Sequence, residues 1–141
     1  MKVVNSSITH LIEDTIASKI GDFYFFKDFI IAEFKEESHV SFAQFEDIME
    51  MGKEKYNSKP VGFISNRINS YSVNLIDMFE NSNFSNYLSA YAIVSYSEVT
   101  TKVLDLEDHY FSIPRKRFNN LIEAANWIQD ELEIKKNDNK K

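Results

Sequence analysis

Apolar and polar positions repeat along this chain with two periods, and the switches between them divide it into strands and helices. Thr15-Ile16-Ala17-Ser18-Lys19-Ile20 alternates, Gly21-Asp22 punctuates, and Phe23-Tyr24-Phe25-Phe26 is aromatic enough for a strand half-buried on two faces. Lys27-Asp28 then reverses the chain into residues 29–36, which predicts an antiparallel hairpin. After Ser41 the period becomes helical. Phe42, Phe45, Met49, Gly52 and Tyr56 form one apolar stripe, and Glu46, Asp47, Glu50, Lys53 and Glu54 form the solvated face. Ser41-Phe42-Ala43-Gln44 reads as a capping box at the start of this helix. Asn57-Ser58-Lys59-Pro60 ends it, because the residue before a proline is pushed out of the helical region.

Val61, Phe63 and Ile64 signal a short buried strand. A polar loop follows, and a second helix begins near Val73, capped by Asn74 and Asp77 and running over about residues 75–81. Residues 87–96, YLSAYAIVSY, read as a strand covered on both sides. Val99, Val103, Leu106 and Tyr110 predict a third helix over 98–110. Residues 112–118, with Pro114, read as a short edge strand, and Leu121, Ala125, Ile128 and Leu132 line a closing helix. Residues 1–10 are polar and expected loose, with Ile8, Leu11 and Ile12 the first to reach a core. The order is strand, strand, helix, strand, helix, strand, helix, weak strand, helix. That alternation after an initial hairpin predicts an α/β fold with a mixed sheet, residues 1–134 forming a single domain and 135–141 a disordered charged tail.

Composition narrows the function. Of 141 residues, 43% are apolar, and 12 Phe with 7 Tyr point to a core built on rings. Sixteen basic against 22 acidic residues leave a net charge of −6, which disfavours nucleic acid and anionic membrane as partners. Arg115-Lys116-Arg117 is a compact basic cluster, suited to blunting a sheet edge. Zero cysteines exclude a disulfide framework and a thiolate site. The opening MKVVNSSITH has neither a long apolar stretch nor a small-residue cleavage site, and no 18-residue apolar run occurs. The expectation is a cytoplasmic protein with no stable membrane insertion.

Four strings, FYFFKDFIIAEF, GFISNRINSYSV, AYAIVSYS and LIEAANWI, together with the element order, resemble the small bacterial SpoIIAA-like group within the STAS-like fold. The resemblance implies a four- or five-stranded mixed sheet flanked by about four helices, in a group dominated by proteins of unassigned function. Better-understood STAS relatives are anti-sigma-factor antagonists. They bind a kinase partner and are switched by phosphorylation of a serine at the start of the helix after the third strand, a position that falls here on Ser70 or Ser72. Those relatives carry an Asp-Ser-Ser-Gly type of loop, whereas this chain has Asn69-Ser70-Tyr71-Ser72-Val73-Asn74 without glycine. The position carries across; the activity does not.

The candidate partner- or anion-binding residues are Asn66, Arg67, Asn69, Ser70, Tyr71 and Ser72, grouped before an expected helix start whose free N–H groups suit an anion or a partner. The same residue types also serve to cap a long turn. Asp105 and His109 share an i,i+4 spacing, too little for a metal site. Gly21, Gly52 and Gly62 build no phosphate-cradling loop, and no residue set joins a nucleophile to a base. The reading is therefore a non-catalytic interaction or regulatory module, with no cofactor or metal and with its oligomeric state open. The alternative is carriage of a small apolar ligand between sheet and helices, lined by Phe23, Phe25, Phe29, Tyr87, Tyr91 and Trp127.

Overall fold

The computed structural model describes residues 1–36, 39–40, 42–57, 59–69, 72–73, 88–96 and 113–139. Its centre is a six-stranded mixed sheet of β1 (Asp14–Ala17), β2 (Gly21–Phe25), β3 (Phe29–Phe34), β5 (Gly62–Arg67), β7 (Ala90–Ser95) and β8 (Arg115–Phe118), in that spatial order. A two-stranded parallel sheet pairs β4 (His39–Val40) with β6 (Ser72–Val73). The first three strands of the main sheet are antiparallel, and β3, β5, β7 and β8 run parallel. Strands of a parallel sheet are covered on both faces and so read as unbroken apolar runs. Every residue of β3 and β5, and all but the last of β7, is buried accordingly.

Among the described residues, two helices flank this sheet on opposite sides. Helix α1 (Phe42–Tyr56) brings Ile48 and Tyr56 against Phe23, Phe25, Ile30, Phe63, Tyr91 and Ile93. The Tyr56 hydroxyl donates to the Phe26 carbonyl at 2.6 Å and lies 3.0 Å from the Phe29 carbonyl, joining the helix end to the β2–β3 turn. At the surface, Lys55 reaches Glu13 at 2.8 Å and Asp14 at 3.7 Å. Helix α2 (Leu121–Asn139) lays Leu121, Ala124, Ala125, Ile128 and Leu132 on Ile31, Ile64, Ala92 and Val94. Its start is capped by Asn120, whose Oδ1 accepts from the N–H groups of Ile122 and Glu123.

The predicted hairpin is present: Phe26 N donates to Phe29 O across Lys27-Asp28, with Phe25 opposite Ile30. Glu46, Asp47, Glu50, Lys53 and Glu54 form the exposed face of α1, Pro114 immediately precedes the edge strand β8, and the apolar face of α2 is the expected one. Asn57, in the left-handed region at φ 44°, ends α1.

Several expectations are corrected. The main sheet has six strands rather than four or five, because the chain reverses at Ser18-Lys19-Ile20-Gly21. There the Ser18 N–H and hydroxyl both donate to the Gly21 carbonyl at 2.9 Å, and β1 becomes a separate antiparallel edge. The opening segment is not loose. It forms two short 3-10 turns, Val3–Asn5 and Thr9–Leu11, and Val3 is fully buried while Leu11 is exposed. Ile8 and Ile12 do pack on the core. The tail expected from residue 135 is helical to Asn139, as the end of α2. Val73 lies in the short strand β6. The capping box at Ser41, the helices over 75–81 and 98–110, and the Asp105–His109 pair fall outside the described residues. No helix among the described residues is long and apolar enough to cross a membrane.

Candidate functional site

The carboxyl ends of parallel strands are where open α/β sheets place their crevices, and here that edge carries a buried polar cluster. Side chains alternate along a strand, so Ile31 and Glu33 of β3, and Ile64 and Asn66 of β5, point to the α2 face. Tyr96, just beyond β7, completes the row. Glu33 and Asn66 are 5% and 1% exposed. The Asn66 amide nitrogen donates to Glu33 Oε2 at 2.8 Å and to the Met1 carbonyl at 2.8 Å, and Asn66 Oδ1 accepts from the Tyr96 hydroxyl at 2.8 Å. Glu33 Oε2 also accepts from the Val3 N–H at 2.8 Å. Two strands and the opening segment are thereby tied together at one carboxylate.

The electrostatics follow from burial and sign. Burial, and then the charge of Glu33, raise the Tyr96 phenol above its ordinary value, which keeps its proton available for Asn66. Burial, followed by Glu33 and Asp22, raises the Tyr24 phenol on the same face. Asp22 stands directly opposite Glu33 in the β2–β3 register.

Of the six residues proposed from the sequence, the two that lie in β5 do not share one face of the sheet. Asn66 and Arg67 belong to β5 rather than to the loop, and as consecutive strand residues they point to opposite faces of the sheet. Arg67 is itself buried, at 9% exposure. The anion beside Asn66 is the chain's own Glu33. Asn69 is exposed and donates from its amide to the Phe34 carbonyl at 3.1 Å, which anchors the loop to the end of β3. Ser72 lies in β6, paired in register with His39. Ser70 and Tyr71 lie outside the described residues.

The aromatic lining of the alternative reading is divided as well. Phe23, Phe25 and Tyr91 lie in the core on the α1 side, whereas Phe29 and Trp127 lie on the α2 side, so these five do not line one pocket. Tyr87 is outside the described residues. On the edge strand, Arg115 stacks over the Tyr91 ring at 5.2 Å and Lys116 over Phe118 at 5.5 Å. Sequence reasoning missed Glu33, Asp22, Tyr24 and Tyr96. The available signal was a lone acid inside the apolar run FIIAEF, since a buried carboxylate must find donors.

No family model and no curated protein matches the chain. Among solved structures it is similar to an uncharacterized protein of the DUF3478 family with a SpoIIAA-like fold from Shewanella loihica PV-4, at 10% identity and a TM-score of 0.49, covering 82% of this chain and 90% of that one. The description of that structure uses the same fold name as the sequence resemblance; it brings no activity, partner or ligand to this chain.

Proposed function

We propose that this chain is a non-catalytic, STAS-like cytoplasmic regulatory module that recognises a protein partner through the loop following β5. The observation that supports this reading is the anchoring of that loop on both sides. Asn69 is tied to the end of β3, and the pairing of Ser72–Val73 with His39–Val40 holds the far side, with Ser70 and Tyr71 between the anchors. Fixed flanking residues lower the conformational freedom a loop gives up on binding, which favours recognition. In this reading a phosphoryl group on Ser70, between the anchors, or on Ser72, at the second of them, would add about −1.5 to −2 charge and switch partner access. Arg67, being buried, supports the strand rather than meeting the partner.

The test compares wild type with an Asn69→Ala/Tyr71→Ala double variant, after thermal melts establish that both are folded. Crosslinking in host extract followed by affinity recovery is expected to yield one protein with wild type and to lose it with the variant. Equal recovery from both would overturn the assignment of the surface.

A further inference from the structure

The two edges of the main sheet are finished differently. β8 is preceded by Pro114 and carries Arg115, Lys116 and Arg117, residue types that keep an edge strand from pairing with another chain. β1 has no proline, and its one charge, Asp14, lies 3.7 Å from the Lys55 ammonium. Asp14, Thr15 and Ala17 are exposed and Ile16 is half-buried, so β1 is open to solvent along its length. In an antiparallel pair, residues alternate between those that bond the strand on one side and those that face the other side. Phe26 N donates to Phe29 O, which directs the even residues of β2 to β3 and leaves Phe23 and Phe25 to bond β1. Their partners in register are Ile16 and Asp14, and the bond from Ser18 N to Gly21 O continues the same alternation. The N–H and C=O groups of Thr15 and Ala17 therefore point outward, away from β2.

We propose that β1 pairs antiparallel with β1 of a second copy of this chain, about a twofold axis at Ile16. Self-pairing requires outward groups to meet outward groups, and this register satisfies it. Thr15 lies opposite Ala17 of the second copy, and each N–H reaches the other residue's carbonyl. Ile16 lies opposite Ile16 of the second copy at a non-hydrogen-bonded position, where Cα atoms approach to about 4.5 Å. Ile16 already packs against the core on the α1 side, opposite Phe23, so the pair closes the margin where the two cores meet. The charges agree as well: Glu13 stands level with Lys19 of the second copy and Asp14 level with Ser18, so no like charges are opposed. Pairing β8 with itself would instead set Arg115, Lys116 and Arg117 against their own copies. An isologous contact closes at two copies, which caps the open edge without growth into a fibre. A contact this short lies at the small end of specific interfaces, so the dimer is weak and depends on concentration. The surface is separate from the loop after β5 and stands or falls apart from it.

The test is sedimentation velocity of the full chain from about 5 µM to about 500 µM, with a shift from one chain mass toward two expected across that range. Thr15→Pro deletes an outward N–H that a single copy does not use. It should weaken the dimer about tenfold or more while leaving the melting temperature of the monomer little changed. The chain has no cysteine, so Ile16→Cys introduces a lone thiol at the twofold axis. A Cα separation of about 4.5 Å lies within disulfide range, and oxidised glutathione should link this variant into covalent dimers. Thr15→Cys should link more slowly, because its own copy lies about 7–8 Å away on the diagonal. Should Thr15→Pro fail to fold, the comparison of the two cysteine variants decides. Sedimentation as a monomer throughout, undiminished dimerisation of a folded Thr15→Pro, or linkage no faster at position 16 than at position 15 would each overturn the pairing.

Discussion

Asn66 uses its whole amide: one N–H for Glu33, one for the Met1 carbonyl, and its oxygen for the Tyr96 hydroxyl. Leucine has nearly the same shape and none of these atoms. Asn66→Leu would leave the buried Glu33 carboxylate with the Val3 N–H as its single donor. The expected loss is about 2–3 kcal/mol of unfolding free energy, because an under-satisfied buried charge bears its desolvation cost. Tyr96→Phe removes one neutral bond at a position 45% exposed and should cost about 1 kcal/mol. Urea melts of the two variants check the ranking, and equal losses would mean that Glu33 draws its compensation from elsewhere.

Between residues and the whole molecule, the turn joining β1 to β2 decides how many strands the sheet has. Gly21 sits at φ 156°, and a Cβ there would run into the Glu33 carbonyl and come within 2.7 Å of Phe34 Cα. Both obstacles are backbone of the next strand, so they cannot swing aside. Gly21→Ala should therefore cost about 2–4 kcal/mol, combining an unfavourable backbone conformation with overpacking. The loss should appear as a lowered melting temperature together with reduced hydrogen-exchange protection at Glu13 N and Ser18 N, which bond across the first two strands. Unchanged stability would mean that β2 and β3 can separate locally to admit a methyl group.

At the scale of the molecule, three tyrosines link stability to pH. Tyr24, Tyr56 and Tyr96 are all raised above 10.0, each by burial first, with Glu13 next for Tyr56 and Glu33 next for the other two. Above pH 10 the unfolded chain releases these protons while the folded chain keeps them. The stabilisation is therefore complete below the unfolded value and falls away as pH rises through the folded ones. Lys55, raised by its hydrogen bond to Glu13, acts with the same sign. Denaturation midpoints should fall from about pH 9 to about pH 11, with tyrosinate absorbance rising in step with the loss of circular dichroism. Tyr56→Phe should flatten part of this slope, and a slope identical to wild type would remove Tyr56 from the account.

What the sequence by itself determined was the set of elements whose signals are local. The β2–β3 hairpin, the covered strand ending in Ser95, the solvated face of α1, the edge position of β8 and the apolar face of α2 all follow from periodicity and from Pro or turn residues a few positions apart. The tertiary structure alone decided which residues meet. Glu33 and Asn66 are separated by 33 residues, and Val3 and Glu33 by 30, so no local pattern could pair them. Asn66 and Arg67, adjacent in sequence, were divided between opposite faces once β5 extended through them. Register and face are set by packing across the sheet, and a one-residue difference in where a strand ends reassigns every side chain near that end.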